Sequence, residues 1–279
     1  MALNYDNIKI STKTIIGTSN LGINIQKVFT NMPLDEGPQT KQVSIRTIYY
    51  GVERRGMVCC EKKKKKKSFR NAINIIAELD NQKFINFKLS KNGKFQMTGC
   101  KSEDHAITIV SHFIQHLIEH CRDCVTIAKN NSILVFFQTV MTNIDFSIGF
   151  KINRQKLDEQ MNKDTSYHSL LETSCGYTGV NIKFPLDMKW WELEVPVLYC
   201  AQMIENQPLE WKNTRESLCQ MMEITSDKKT KKKYNTFLVF HSGNIIMSGM
   251  MRETMKKDFD IFVNLLKIWR PVIEEKILE

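Results

Sequence analysis

Two groups of side chains in this sequence have types and spacing that could do chemistry. Six lysines run without a break from Lys62 to Lys67, and such a run suits the phosphates of a polyanion, because each phosphate neutralised releases condensed counterions. A solvated lysine loop would look the same. The second group is His112, His116 and His120 at i, i+4 and i+8, with Cys121 and Cys124 at C-x-x-C spacing just beyond. Imidazole and thiolate are zinc ligands. Histidines spaced this way beside Phe113 and Leu117 are also what an exposed helix edge gives, and no second C-x-x-C closes the set, so neither a metal nor any other cofactor is expected.

No catalytic module stands beside these groups, and the chain reads as a binding protein rather than an enzyme. Its 279 residues, 42% of them hydrophobic, are ample for a packed core. The net charge is +10, with the whole basic excess in the first half, which points again to nucleic acid. Eight cysteines lie scattered without framework spacing, and the amino terminus lacks the basic and apolar regions of a leader. No apolar run approaches the ~20 residues a membrane helix needs. These features predict a soluble protein in a reducing compartment, with no membrane contact.

The elements that must position these groups come in two copies. Gly93-Lys-Phe-Gln-Met-Thr-Gly-Cys-Lys-Ser-Glu-Asp104 returns at Gly243-Asn-Ile-Ile-Met-Ser-Gly-Met-Met-Arg-Glu-Thr254, with both glycines, the methionine and the glutamate at the same offsets. An alternating apolar strand precedes each copy, Phe84 to Leu89 and Phe237 to Phe240, and an amphipathic helix follows each. That duplication predicts two repeats of strand, helix, strands and helix, residues 1–131 and 132–279. Strands are expected over Ile10 to Ser19, Phe69 to Leu79, Lys83 to Leu89, Ile133 to Met141, Val180 to Phe184 and Tyr234 to Phe240. Two segments, 34–67 and 187–233, read as insertions. The first carries a hairpin with strands near Val43 to Tyr50 and Met57 to Cys60. In the second, Asn213-Thr-Arg-Glu216 reads as a capping box opening a helix over Leu218, Met221 and Met222. Ser102 reads as the cap of the first long helix, and Pro271 as the end of the last.

Two antiparallel half-sheets with their helices on one side predict an α+β saddle, with one curved sheet of about ten strands and an uncovered concave face. On that face the sequence places Thr14 and Ile16, Phe87 and Leu89, Gln96 and Thr98, then Thr139 and Met141, Leu238 and Phe240, Ile246 and Ser248, each pair two apart as one face requires. An apolar face with hydroxyls suits a minor groove, which offers sugars to pack on and few donors to read.

At these residues the chain resembles the TATA-binding protein family. Thr98-Gly-Cys-Lys-Ser-Glu103 follows that family's Thr-Gly-Ala-Lys-Ser-Glu, and Thr18-Ser-Asn-Leu-Gly22, Phe240-His-Ser-Gly243 and Gly179-Val-Asn-Ile-Lys183 are similar to its other repeat motifs. Gln138, Thr139 and Asp145 fall where its second repeat has Gln-Asn and Asp. The resemblance implies a saddle that grips and bends double-stranded A·T-rich promoter DNA through the minor groove. It also implies recruitment of a B-type factor, other general initiation factors or RNA polymerase on the convex side, in a nucleus or a cytoplasmic viral replication compartment. By the same resemblance Phe240 with Tyr177, and Phe69 with Leu89, take the wedging positions, and Lys67 and Lys183 flank them at phosphates. Thr14 and Thr139 stand where the family has groove-reading asparagines, Gln96 stands for a valine, and Glu172 is what remains of the acidic turn that the B-type factor grips. With Tyr177, Leu89 and both threonines departing from the family, a saddle that binds partners with weak or no DNA bending is the alternative, and an accessory domain of a nucleic-acid enzyme is a further one. The insertions and the Lys, Asn and Ile bias are similar to large DNA viruses. The sequence neither requires nor forbids self-association.

Overall fold

Strands form where apolar residues alternate, helices where they recur every three or four. The computed structural model describes residues 3–37, 42–57, 71–79, 83–127, 131–171, 179–204, 207–224, 226–229 and 231–275. In the first half, β1 (Ile10–Ser19), β2 (Gly22–Ile23) and α1 (Ile25–Asn31) are followed by β3 (Val43–Tyr50), β4 (Glu53–Gly56), β5 (Ala72–Leu79), β6 (Lys83–Ser90), β7 (Lys94–Cys100), α2 (Glu103–His120) and β8 (Val125–Thr126). The second half runs through β9 (Ile133–Ser147), α3 (Arg154–Asp164), β10 (His168–Leu171), β11 (Gly179–Pro185), β12 (Glu194–Cys200), β13 (Lys212–Ser217), α4 (Leu218–Met222), α5 (Ser226–Lys229), β14 (Tyr234–Phe240), β15 (Asn244–Gly249) and α6 (Arg252–Ile273). The class is α+β, and among the described residues the strand pairings are antiparallel. Among the described residues no helix is long and apolar enough to cross a membrane.

The chain divides into two compact units, one of residues 13–139 and 191–223, the other of residues 1–12, 140–190 and 224–279. In the first unit the strands run β1-β7-β6-β5-β3-β4. One side is covered by α2, whose Ala106, Val110, Phe113, Ile114 and Leu117 are buried as their spacing predicts. Phe113 meets Phe87 and Phe95 edge-on at 5.3 and 5.9 Å. In the second unit the order is β9-β15-β14-β11-β10. There α6 buries Met255, Phe259, Phe262, Val263, Leu266 and Trp269.

Several expectations are corrected here. β3 lies within the segment read as an insertion, yet it pairs with β5 from Val43 to Tyr49 and has a counterpart in β10, which pairs with β11. Asn213 to Glu216 form part of β13 rather than a capping box, because Pro196 and Val195 of β12 lie opposite Arg215 and Glu216 in a strand pairing. Ser102 occupies the cap position of α2 without a side-chain hydrogen bond. Pro271 lies inside the last turn of α6: proline removes only its own N–H, and Glu274 N–H still closes onto Arg270 O at 2.9 Å. The strand expected near Met57 to Cys60 extends outside the described residues.

The duplicated turns show why their glycines recur. Gly93 and Gly243 have φ of 65° and 81°, and each carbonyl accepts from the end of its unit's first strand, Ser19 N–H at 3.0 Å and Ile148 N–H at 3.1 Å. A Cβ on Gly243 would stand 2.1 Å from Phe150 O. Gly243→Ala is therefore expected to destabilise by more than the roughly 1–2 kcal/mol of a left-handed alanine, read as a lowered urea midpoint.

Candidate nucleic-acid interface

Cross-strand register assigns the uncovered face of each unit residue by residue. In the first unit, one row across the strands reads Thr14, Thr98, Asn86, Ile76, Thr47, and the next reads Ile16, Gln96, Lys88, Asn74, Tyr49. In the second unit the matching rows are Asn143, Ser248, Thr236, Lys183, His168 and Asp145, Ile246, Leu238, Asn181, Leu170. Thr98 and Ser248 occupy the same place in the two rows, as the repeat predicts. Gly179 lies opposite Phe240 at the end of β14. Thr14, Ile16, Gln96 and Thr98 thus share one face, with Thr14 itself buried at 9% exposure, and Lys183, Leu238, Phe240, Ile246 and Ser248 share another.

Phe87 and Leu89 do not belong to this face. They are 1% and 0% exposed and lie in the core, while Asn86 and Lys88, on the opposite parity of the strand, are exposed. The reason is the pairing of Phe87 with Met97 and Leu89 with Phe95, both buried. Thr139 is also misplaced: its hydroxyl donates to Glu103 Oε1 at 3.2 Å, at the start of α2, and Arg215 Nη1 lies 3.3 Å from Glu103 Oε2. The residue that corresponds to Thr14 is Asn143, and Asp145 follows it; Met141 is 37% exposed. β9 explains the slip, since its odd residues Ile133, Val135 and Phe137 enter one core and its even residues Ile144 and Phe146 the other. Lys67, Phe69, Glu172 and Tyr177 lie outside the described residues.

The two faces differ in chemistry. The first unit presents Lys88, Lys94, Gln96, Asn86 and Asn74, and the second presents Leu170, Leu238, Phe240 and Ile246 with Asp145 and Lys183. Beyond Asn74 and Asn86 the first face closes, because Arg46 reaches Glu78 and the carbonyls of Asp35 and Gly37, and Thr47 donates to Met57 O. Thr47 and Ile76 are buried there. Beside Phe240, a cleft of about 910 Å³ is lined by Asp145, Arg154, His241, Ser242, Asn244 and Ile246.

The remaining motif residues hold the frame. Asn20, from Thr18-Ser-Asn-Leu-Gly22, exchanges hydrogen bonds with Leu134 and donates to Ser132 O. Cys100 is in the core, and burial pushes its thiol up to about 11. Burial likewise raises Cys121, and takes Cys124 up to about 12. The Cys124 thiol donates to Asp123 Oδ1 at 3.6 Å, and without a metal both thiols stay protonated near neutral pH.

No family model matches the chain. It is 28% identical over 206 residues to the uncharacterized protein 335L of Invertebrate iridescent virus 6, covering 71% of this chain and 60% of that protein. It is 29% identical over 213 residues to a TATA-box-binding protein-like protein of Acanthamoeba polyphaga mimivirus, covering 66% of this chain and 56% of the relative. The chain thus spans less than two thirds of the length of both. A solved structure, Methanococcus jannaschii TBP, aligns over 94% of this chain and 98% of its own at a TM-score of 0.44 and 13% identity. Both sequence relatives are viral, and the name of the second agrees with the resemblance carried by the repeat motifs.

Proposed function

We propose that this chain is a viral TATA-binding-protein-like factor, which places the uncovered faces of its two units against the minor groove of double-stranded DNA and bends it. The observation that carries the reading is the repeated register: Thr14, Thr98, Asn86 in one unit and Asn143, Ser248, Thr236 in the other. Short polar side chains in matching rows suit a groove whose edges offer acceptors and one donor type. Initiation factors or RNA polymerase would be recruited through other surfaces, in a nucleus or a viral replication compartment. Bending by the first unit needs a wedge there, and with Leu89 in the core, Phe69 is what remains of that pair.

The test is binding to A·T-rich and G·C-rich duplexes with a fluorescence-transfer readout of end-to-end distance. Minor-groove binding with a shortened distance supports the reading, and no measurable affinity for any duplex overturns it. Thr98→Ala and Ser248→Ala are expected to cost about 1 kcal/mol each, since each removes a single hydroxyl. Replacing Lys62 to Lys67 with glutamine is expected to weaken binding to all duplexes alike. The salt slope should flatten by about 0.9 for each phosphate left without its lysine, whereas an unchanged slope would mark a solvated loop.

A second reading, a partner-binding scaffold, is favoured by Asp145, which is exposed in the row of Ile246 and Leu238 of the second unit. In that case the duplex assay fails while the folded chain still captures its initiation partners.

A further inference from the structure

We infer that α2 carries a site for a divalent transition metal of the zinc class, built by His116, Glu119 and His120. A ring nitrogen of each histidine and a carboxylate oxygen of Glu119 lie within 4.8 Å of one another. Positions i, i+3 and i+4 put all three on one side of the helix. Zinc bonds of about 2.0–2.2 Å set tetrahedral ligand atoms roughly 3.3 Å apart. His120, whose side chain is 47% exposed, is the ligand with room to rotate and close the gap.

Two features separate this trio from histidines that merely line a helix edge. His116 is only 8% exposed, and its Nε2 lies 3.0 Å from the carbonyl oxygen of Pro33. A carbonyl only accepts, so Nε2 carries the proton and Nδ1 holds the basic lone pair. A backbone carbonyl fixing the tautomer and ring of a ligating histidine is the usual outer support of a metal site. Glu119 is held as well. Its Oε1 accepts from Gln115 Nε2, and Gln115 Oε1 accepts from Leu209 N–H at 2.7 Å. Leu209 comes from the stretch between β12 and β13, which has no counterpart in the first repeat. That insertion thus acquires a role, since it orients a ligand on α2 of the same unit.

Two imidazoles and one carboxylate suit zinc, with water in the fourth position, better than calcium or magnesium, which prefer all-oxygen sets. The ion would join the end of α2 to its supports at Pro33 and Leu209 and stabilise this unit by binding only the folded state.

The test uses the untagged full-length chain, stripped with chelator and titrated with Zn²⁺, and with Co²⁺ read by its visible absorption. One ion per chain with a tetrahedral cobalt spectrum is expected, together with a rise in melting temperature on adding zinc. Glu119→Gln and His120→Ala, both at exposed positions, should lower affinity by about tenfold or more and abolish that rise. Gln115→Ala, which touches no metal, should weaken binding by about 10–100-fold with the fold unchanged by circular dichroism. Wild-type affinity in His120→Ala and Glu119→Gln, or several weak ions per chain with no thermal shift, would mean adventitious surface binding only and overturn the site.

Discussion

Glu78→Ala will lower the stability of its unit by about 3–5 kcal/mol, the cost of stranding a buried charge. Arg46 Nε lies 2.6 Å from Glu78 Oε2, and the two side chains are 4% and 11% exposed. The guanidinium also donates to Asp35 O and Gly37 O, so it cannot swing out to water without releasing the segment before β3. Truncating Glu78 leaves the guanidinium without the carboxylate it pairs with and still held on the carbonyls of Asp35 and Gly37. The double change Arg46→Met with Glu78→Leu removes both charges together and should recover most of the loss, because apolar replacement of a whole buried pair is often near neutral. Urea unfolding of the two variants decides this. A loss below about 1 kcal/mol for Glu78→Ala would show that the pair is reached by water.

Arg46 also illustrates what the sequence leaves unread. It occupies an irregularity in β3, between Ile45 opposite Ala77 and Thr47 opposite Ile76, and an extra residue in a strand carries no signature of its own. By contrast β1 and β14 have the bounds their β-branched and apolar runs predict, closed by Ser19-Asn20 and by His241-Ser-Gly243. In β6 the alternation gave the right pairs, Phe87 with Leu89 and Asn86 with Lys88, but parity alone does not say which pair turns inward. The core residues Phe95, Met97 and Phe113 decide it. Thr139 fails for another reason. The inward residues change from odd to even along β9, so counting from one end assigns the wrong face at the other. β13 and β10 are held by pairing with their neighbours β12 and β11 rather than by an apolar alternation of their own, so local pattern did not find them.

Two of the four wedge positions named from sequence, Phe240 and Leu89, now predict opposite kinds of loss. Phe240 is half-exposed, and its backbone is fixed by Gly243 N–H donating to Phe240 O at 3.0 Å. Opposite it Gly179 brings no side chain; a Cβ there would meet Leu238 Cδ1 at 2.6 Å. A ring held this way can enter a base step without first leaving a core, and unstacking a step costs a few kcal/mol that the wider protein–DNA interface must recover. Phe240→Ala will therefore lower duplex affinity by about 10–100-fold, taking 1–3 kcal/mol for a stacked aromatic, and will reduce the bend, with its melting temperature nearly unchanged. Leu89→Ala will do the reverse. It empties a fully buried site and should cost about 2–5 kcal/mol of stability, while on the proposed reading the fraction that stays folded keeps the wild-type duplex affinity and bend. Melting curves and bend measurements on both variants decide between the roles. If Phe240→Ala leaves affinity and bend intact, the second unit has no wedge on β14. If Leu89→Ala loses bend without losing stability, the burial assigned to β6 does not describe the protein on DNA.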